Sequence, residues 1–232
     1  MLECVWRDLG RMDYAAALSL QRELVERRQS GQTGDTLLFV EHPHVITLGR
    51  NGQRQNLLAG WDHLRRAGVA FHDTDRGGDI TYHGPGQLVG YPILDLRQWK
   101  RDVTAYVRAL EECLIETLGE FGIAAARSPG LTGVWVAEGK IAAIGVRISR
   151  WVTSHGFALN AATDLQYFQY IVPCGLAGRA VASMDRLLGA NPGLDRVRSA
   201  VARHFGRVFE RRMVPAPESA PARREEEVLC PK

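Results

Sequence analysis

Apolar positions along the chain switch between two periods. Between Tyr14 and Gln29, Ala17, Leu20, Leu24 and Arg28 mark one side at helical spacing, and Asp13 stands where an N-cap belongs. From 102 to 121 the same spacing is stronger, with Val103, Tyr106, Val107, Leu110, Leu114, Leu118 and Phe121 recurring at three and four. A short helix is expected from Trp61 to Arg66, ended near Gly68. A last one is expected after Asn191, with Pro192 at its first position, running to about Phe209. The remaining apolar runs are short and alternating or continuous, as strands are. They lie near Cys4–Leu9, Thr36–Val40, Val45–Leu48, Ile80–His83, Leu88–Leu94, Gly133–Ala137, Lys140–Ser149 and Ser154–Ala161. Gly84-Pro85-Gly86 reads as a tight turn, and Glu138-Gly139 as a two-residue hairpin turn. Cys4 falls in a first strand that reads as an edge.

Neither a linker nor a repeat interrupts residues 1–210, so one mixed domain of helices and strands is expected. The boundary is set at residue 212. Residues 213–232 end in PAPESAPARREEEVLCPK, whose Pro, Ala and charge content predicts a disordered tail. An apolar fraction of 45% supports a real core, and a net charge of +3 is far below the dense basic footprint of a nucleic-acid binder. Glu3, Arg7 and Asp8 break up any secretory h-region, and no stretch reaches the ~18 apolar residues of a membrane span. The cysteines at 4, 113, 174 and 230 lack zinc or redox spacing. Reduced thiols in a cytoplasm, with neither nucleic acid nor membrane as partner, are the expectation.

Two residues stand out as candidate chemistry. Lys140 shares strand parity with Ala142, Ile144, Val146 and Ile148, so a strict period of two turns it toward the apolar face; the plainer alternative is a rim lysine that snorkels to water. Cys174 lies in Ile171-Val172-Pro173-Cys174-Gly175-Leu176, where proline fixes the approach and glycine lets backbone amides come close. That frame suits a nucleophile with an oxyanion site beside it, though most free cysteines are structural. Cys113 reads as core. The glycine-rich run around Arg76-Gly77-Gly78 is neither a Walker A loop nor a dinucleotide fingerprint, and no G-x-S-x-G elbow occurs. His83 suits a ligand, a base or a hydrogen-bond donor, and a satisfied half-buried histidine at least as well; His42 and His44 are weak as metal ligands.

Taken together, these stretches carry a specific resemblance. Arg76-Gly77-Gly78-Asp79-Ile80-Thr81-Tyr82-His83-Gly84-Pro85-Gly86-Gln87, then GKIAAIGVRISRWVTSHGFALN at 139–160 and IVPCGL at 171–176, resemble in the same order the lipoyl(octanoyl) transferases, or lipoate-protein ligase B family. The likeness runs to about residue 210. It implies an α+β fold, a mixed sheet with packed helices shared with biotin and lipoate ligases. It implies the first step of endogenous protein lipoylation: octanoyl (or lipoyl) transfer from acyl carrier protein to a lysine of lipoyl domains. The acceptors would be the lipoyl domains of 2-oxoacid dehydrogenase E2 subunits and the glycine cleavage H protein. By the same resemblance Cys174 would carry an acyl-thioester and Lys140 would be its partner. Substrate contacts map onto Arg76, Gly77, Gly78, Asp79, Ile80, Thr81, Tyr82 and His83, onto Ala143, Ile144 and Gly145, and onto Gly156, Phe157 and Ala158. Neither metal nor cofactor is implied.

The residue types suit that reaction. Thioester exchange onto a cysteine keeps the acyl group activated, and amide formation then runs downhill. Amides near Gly77-Gly78 or after Cys174 are candidate oxyanion donors. The competing readings are an ATP-dependent lipoate or biotin ligase of the same fold, which would leave the P-C-G loop unused, and a non-catalytic carrier-protein binding module. Two basic clusters, Arg97 with Lys100 and Arg101, or Arg65 with Arg66, are candidate docking patches.

Overall fold

The computed structural model describes residues 1–172 and 180–216. Eight strands form one large sheet in the order β11-β1-β2-β6-β10-β9-β8-β7. They are β1 (Leu2–Arg11), β2 (Asp35–Glu41), β6 (Gln87–Ile93), β7 (Ala126–Ser128), β8 (Leu131–Val136), β9 (Gly139–Ser149), β10 (Val152–Asn160) and β11 (Arg211–Pro215). β1 pairs in parallel with both β2 and β11; the other pairs are antiparallel. A second sheet holds β3 (Val45–Leu48) between β4 (Ala70–Asp73) and β5 (Ile80–His83). This is the mixed α+β architecture expected.

The continuous apolar run of β2 has a physical reason, since both faces of the sheet are covered. Leu37 and Phe39 meet α3 (Val103–Glu120) and α5 (Leu194–Val208), along with Leu110, Leu114, Val201 and Phe205. Leu38 and Val40 meet α1 (Tyr14–Gln29) through Ala17 and Leu24. α2 (Trp61–Arg66) and the turns over Leu165–Tyr170 close a third cluster on the small sheet, and α4 (Met184–Leu188) adds Met184 to the first. Among the described residues no helix is long and apolar enough to cross a membrane.

Several expected boundaries move. Cys4 is fully buried, because β11 pairs outside β1 and makes it an interior strand. The domain end expected at residue 212 falls inside β11, with Met213 opposite Cys4. Asp35 explains that strand: its carboxylate binds Arg28 Nε and Arg211 Nε at 2.8 Å each, all three side chains buried. The β8–β9 turn is Ala137-Glu138, one residue earlier than expected, and Gly139 opens β9. An added Cβ at Gly139 would lie 2.2 Å from the Ala180 carbonyl oxygen, so glycine there serves a close backbone approach. The last helix starts at Leu194 rather than Pro192, because Gly193 takes a positive φ of 77° just before it. Short β4, β7 and α4 carry too little periodicity to have been anticipated.

Candidate active site

A cavity of about 330 Å³ lies between the α1 face of the large sheet and β5 of the small one. That is near the low end for small-molecule pockets. Antiparallel pairing builds its base: Ala143 lies opposite Ala158, Gly145 opposite Gly156, and Ile144 opposite Phe157. All six line the cavity, as do Arg76, Gly78, Asp79, Ile80, Thr81, His83 and Lys140. The residues singled out from three separate stretches therefore meet at one place.

Two of them do not line it. Tyr82 sits between Thr81 and His83 on β5, so strand alternation turns its ring away from the cavity. There it stacks on Tyr167 at 5.2 Å, and its hydroxyl lies 2.8 Å from His44 Nδ1. Gly77 donates its amide to the Val146 carbonyl at 2.9 Å and packs its own carbonyl oxygen close against Gly145. A committed amide is not an oxyanion donor, so the candidate in this stretch narrows to Gly78.

Lys140 reaches the cavity by a route that its parity does not predict. Val134 pairs with Ala142 but Trp135 pairs with Lys140, so Ile141 is an extra residue on β9. The bulge reverses the alternation and sends Lys140 to the face of Ala143 instead of Ala142. Its backbone is held from both sides, donating to Ala180 O at 3.0 Å and accepting from Ala182 N at 2.9 Å. Nζ lies 5.0 Å from the Trp135 ring centre. Cys174 lies outside the described residues; the chain enters that stretch through Val172, whose amide donates to Asn56 O at 2.7 Å.

The other end of the cavity was not anticipated. Tyr14, Val89, Tyr91 and His155 line it, and none of the four is among the residues that the sequence singles out. His42, fully buried, sits 2.7 Å from both the Met12 carbonyl oxygen and the Tyr91 hydroxyl. The carbonyl can only accept, so Nδ1 carries the proton and Nε2 accepts from Tyr91. Burial pushes the His42 pKa down to about 4. Burial, with His42 nearby, pushes His83 down to about 3, and His83 Nδ1 lies 2.7 Å from Gln87 Oε1. Tyr14 lies parallel over His83 at 6.2 Å. The imidazoles beneath the cavity are thus neutral at pH 7.

Around this neutral end the charges are tied down. Arg76 Nη2 donates to the Thr47 carbonyl at 2.8 Å and to Thr47 Oγ1 at 3.0 Å. Asp79 accepts from Gln53 N at 3.1 Å and from Asn56 Nδ2 at 2.5 Å. His155, at a positive φ of 54°, meets Asp75 at 2.7 Å, and Arg147 meets the same carboxylate at 2.7 Å. What remains open is a narrow apolar slot between two alanines and two glycines, with a lysine at one end.

The sequence profile of the lipoyl protein ligase A/B catalytic domain matches residues 13–206. The chain belongs to that family. The octanoyltransferase of Solibacter usitatus is 64% identical over 222 residues, covering 96% of this chain and 100% of that one. Octanoyltransferase is also the name of the Acidobacterium capsulatum relative, 53% identical over 87% of this chain and 88% of its own. This chain is accordingly an enzyme, an acyltransferase. The bipartite lipoate protein ligase of an archaeal lipoylation system, from Thermoplasma acidophilum, superposes with a TM-score of 0.73 at 20% identity, covering 94% of this chain and 89% of that one. At that identity the likeness carries the fold alone, which is a lipoyl ligase fold.

Proposed function

We propose that this enzyme moves an octanoyl group from acyl carrier protein to a lysine of lipoyl domains, by way of a thioester on Cys174. The observation that carries the reading is the slot itself. It is floored by Ala143, Ala158, Gly145 and Gly156, open to a flexible chain, and ends at Lys140. Each methylene buried there contributes about 0.8 kcal/mol, so a C8 chain binds by its length. The close relatives named octanoyltransferase support the same chain.

In the first half, the Cys174 thiolate attacks the carrier thioester and the carbonyl oxygen becomes an oxyanion. The C–S bond to the carrier arm then breaks, leaving the octanoyl group on Cys174. Lys140 takes the thiol proton and returns it to the departing carrier thiol. In the second half, a lysine amine attacks the Cys174 thioester, an amide forms, and the thiol is regenerated with the proton that Lys140 has taken from the amine. The Gly78 amide, at the cavity wall, is the candidate oxyanion donor. The acceptors are lipoyl domains, those of 2-oxoacid dehydrogenases and the glycine cleavage H protein among them.

Intact-mass measurement after mixing the enzyme with octanoyl-acyl carrier protein tests this. The wild type gains one octanoyl mass and Cys174→Ala gains none. An adduct on another residue, or no adduct in the wild type, overturns the mechanism. ATP-dependent transfer from the free fatty acid would instead favour the ligase reading.

A further inference from the structure

One stretch of surface joins the cavity to the approach to Cys174. Residues 53–59 are bonded on one side to a cavity wall: Gln53 N and Asn56 Nδ2 both donate to Asp79. On the other side they are bonded to the segment that leads to Cys174. Leu58 N donates to Tyr170 O at 2.9 Å, Val172 N donates to Asn56 O at 2.7 Å, and Leu57 pairs with Ile171. This rim continues directly into α2.

Its exposed face is unusual in two ways. Leu58 and Trp61 are 61% and 53% exposed, although only six large apolar side chains are exposed among the described residues. Trp61 is held edge-on to Phe71 at 5.1 Å, so its exposed ring is a fixed feature of the surface. Around the pair, residues 50–66 hold four arginines (50, 54, 65 and 66) against one aspartate, Asp62. Arg54 also meets the exposed Asp73 at 2.8 Å, so the surface keeps an excess of two positive charges. Arg65 and Asp62 are 80% and 79% exposed, so their pairing leaves the guanidinium available.

From this placement we infer that Leu58, Trp61, Arg54, Arg65 and Arg66 form the docking surface for the acidic carrier protein that donates the acyl group. The inference rests on the transfer proposed above. An apolar centre rimmed by cations fits a partner with an acidic, partly apolar face. The mode of delivery favours the donor over the acceptor. A carrier delivers its thioester on an arm several times longer than a lysine side chain, so its body docks away from the reacting atoms. The acceptor lysine has to come to the mouth itself. The other basic cluster, Arg97 with Lys100 and Arg101, is placed wrongly for this role. Asp95 pairs with Val152 beside Ser149, nine residues along β9 from Lys140, or about 30 Å at 3.3 Å per residue.

Steady-state transfer from octanoyl-acyl carrier protein and from octanoyl-pantetheine, a small thioester with the same reacting group, tests the assignment. The variants are Arg65→Glu with Arg66→Glu, and separately Trp61→Ala. The arginine pair is fully solvated, so that variant keeps the fold. For the carrier-bound donor KM is expected to rise about tenfold or more with kcat near wild type, and its salt dependence to flatten. The small donor should be turned over as in the wild type. Unchanged kinetics with the carrier overturn the inference. So does a parallel loss with both donors, which would mean that the rim acts through Asp79 or Ile171, and so does an effect confined to the acceptor half-reaction. If the wild type forms no octanoyl product from either donor, the proposed function itself fails and the docking assignment falls with it.

Discussion

The carboxylate of Glu111, fully buried on α3, accepts a hydrogen bond from the Gly133 amide at 3.0 Å. Arg108 and Arg127 hold the other carboxylate oxygen at 2.7 and 3.1 Å. Gly133 has a φ of 119°, and a Cβ there would lie 2.6 Å from Ala142 O and 3.2 Å from Lys140 Cε. Lys140 therefore runs through space that exists only because residue 133 has no side chain. Gly133→Ala should slow adduct formation on Cys174 by about tenfold or more while destabilising the fold by about 1–2 kcal/mol. Rapid-quench mass measurement beside thermal unfolding separates the two. Wild-type acylation kinetics in the variant would show that the lysine's course does not matter.

Chain length should follow from the alanine pair on the cavity floor. Ala143→Leu or Ala158→Leu fills part of the slot between β9 and β10. Each methylene excluded forfeits about 0.8 kcal/mol, or about fourfold in relative rate. Competing octanoyl and hexanoyl donors in one reaction should reveal a shift toward hexanoyl in these variants. A shift toward longer chains would place the acyl group elsewhere.

Asp35→Ala removes the carboxylate that bridges Arg28 and Arg211 and also accepts from the Asp95 amide at 3.0 Å. Two guanidiniums then stay buried without it, which costs about 3–5 kcal/mol. The loss should appear in denaturant unfolding, and amide exchange across Arg211–Pro215 should speed up first. Equal stability in the variant would mean that β11 is held by packing alone.

Much of this was legible in the sequence, for identifiable reasons. α1, α2, β3 and β5 fall where periodicity and turn residues place them. Residues from 76–83, 143–145 and 156–158 meet because β5, β9 and β10 face one cavity. Strict parity does not describe Lys140, because a one-residue bulge at Ile141 leaves no mark in an apolar run. Tyr82 and Gly77 belong to the motif but do not line the cavity, a difference that a linear pattern does not show. Tyr14, Tyr91 and His155 are not singled out by the sequence, because only the fold brings α1, β6 and β10 to one cavity. β11 went unseen because a single acidic side chain, Asp35, decides its pairing from 176 residues away.

The neutral histidines beneath the cavity set how stability responds to acid. His42 and His83 have folded pKa values of about 4 and about 3, against 6.5 for the free side chain. Between those limits the unfolded chain binds protons that the folded chain refuses, so stability is intact above about pH 6.5 and declines as pH falls. Two such groups give a slope of up to about 3 kcal/mol per pH unit between roughly pH 6 and 4. His155, lowered chiefly by burial, adds in the same direction. Asp75 and Asp95 act further down: their pKa values end below the usual carboxylate range, although burial alone would raise them, because hydrogen bonds from His155 and Arg97 outweigh it. Their contribution is lost only as pH falls through that lower range. Urea unfolding at half-unit steps from pH 7 to 4 should show the decline beginning near 6.5, and His42→Gln should reduce the slope by up to about 1.4 kcal/mol per unit. A stability that stays level to pH 4.5 would mean that these imidazoles take up protons in the folded chain, and the hydrogen bond from Tyr91 to His42 Nε2 would then be drawn the wrong way round.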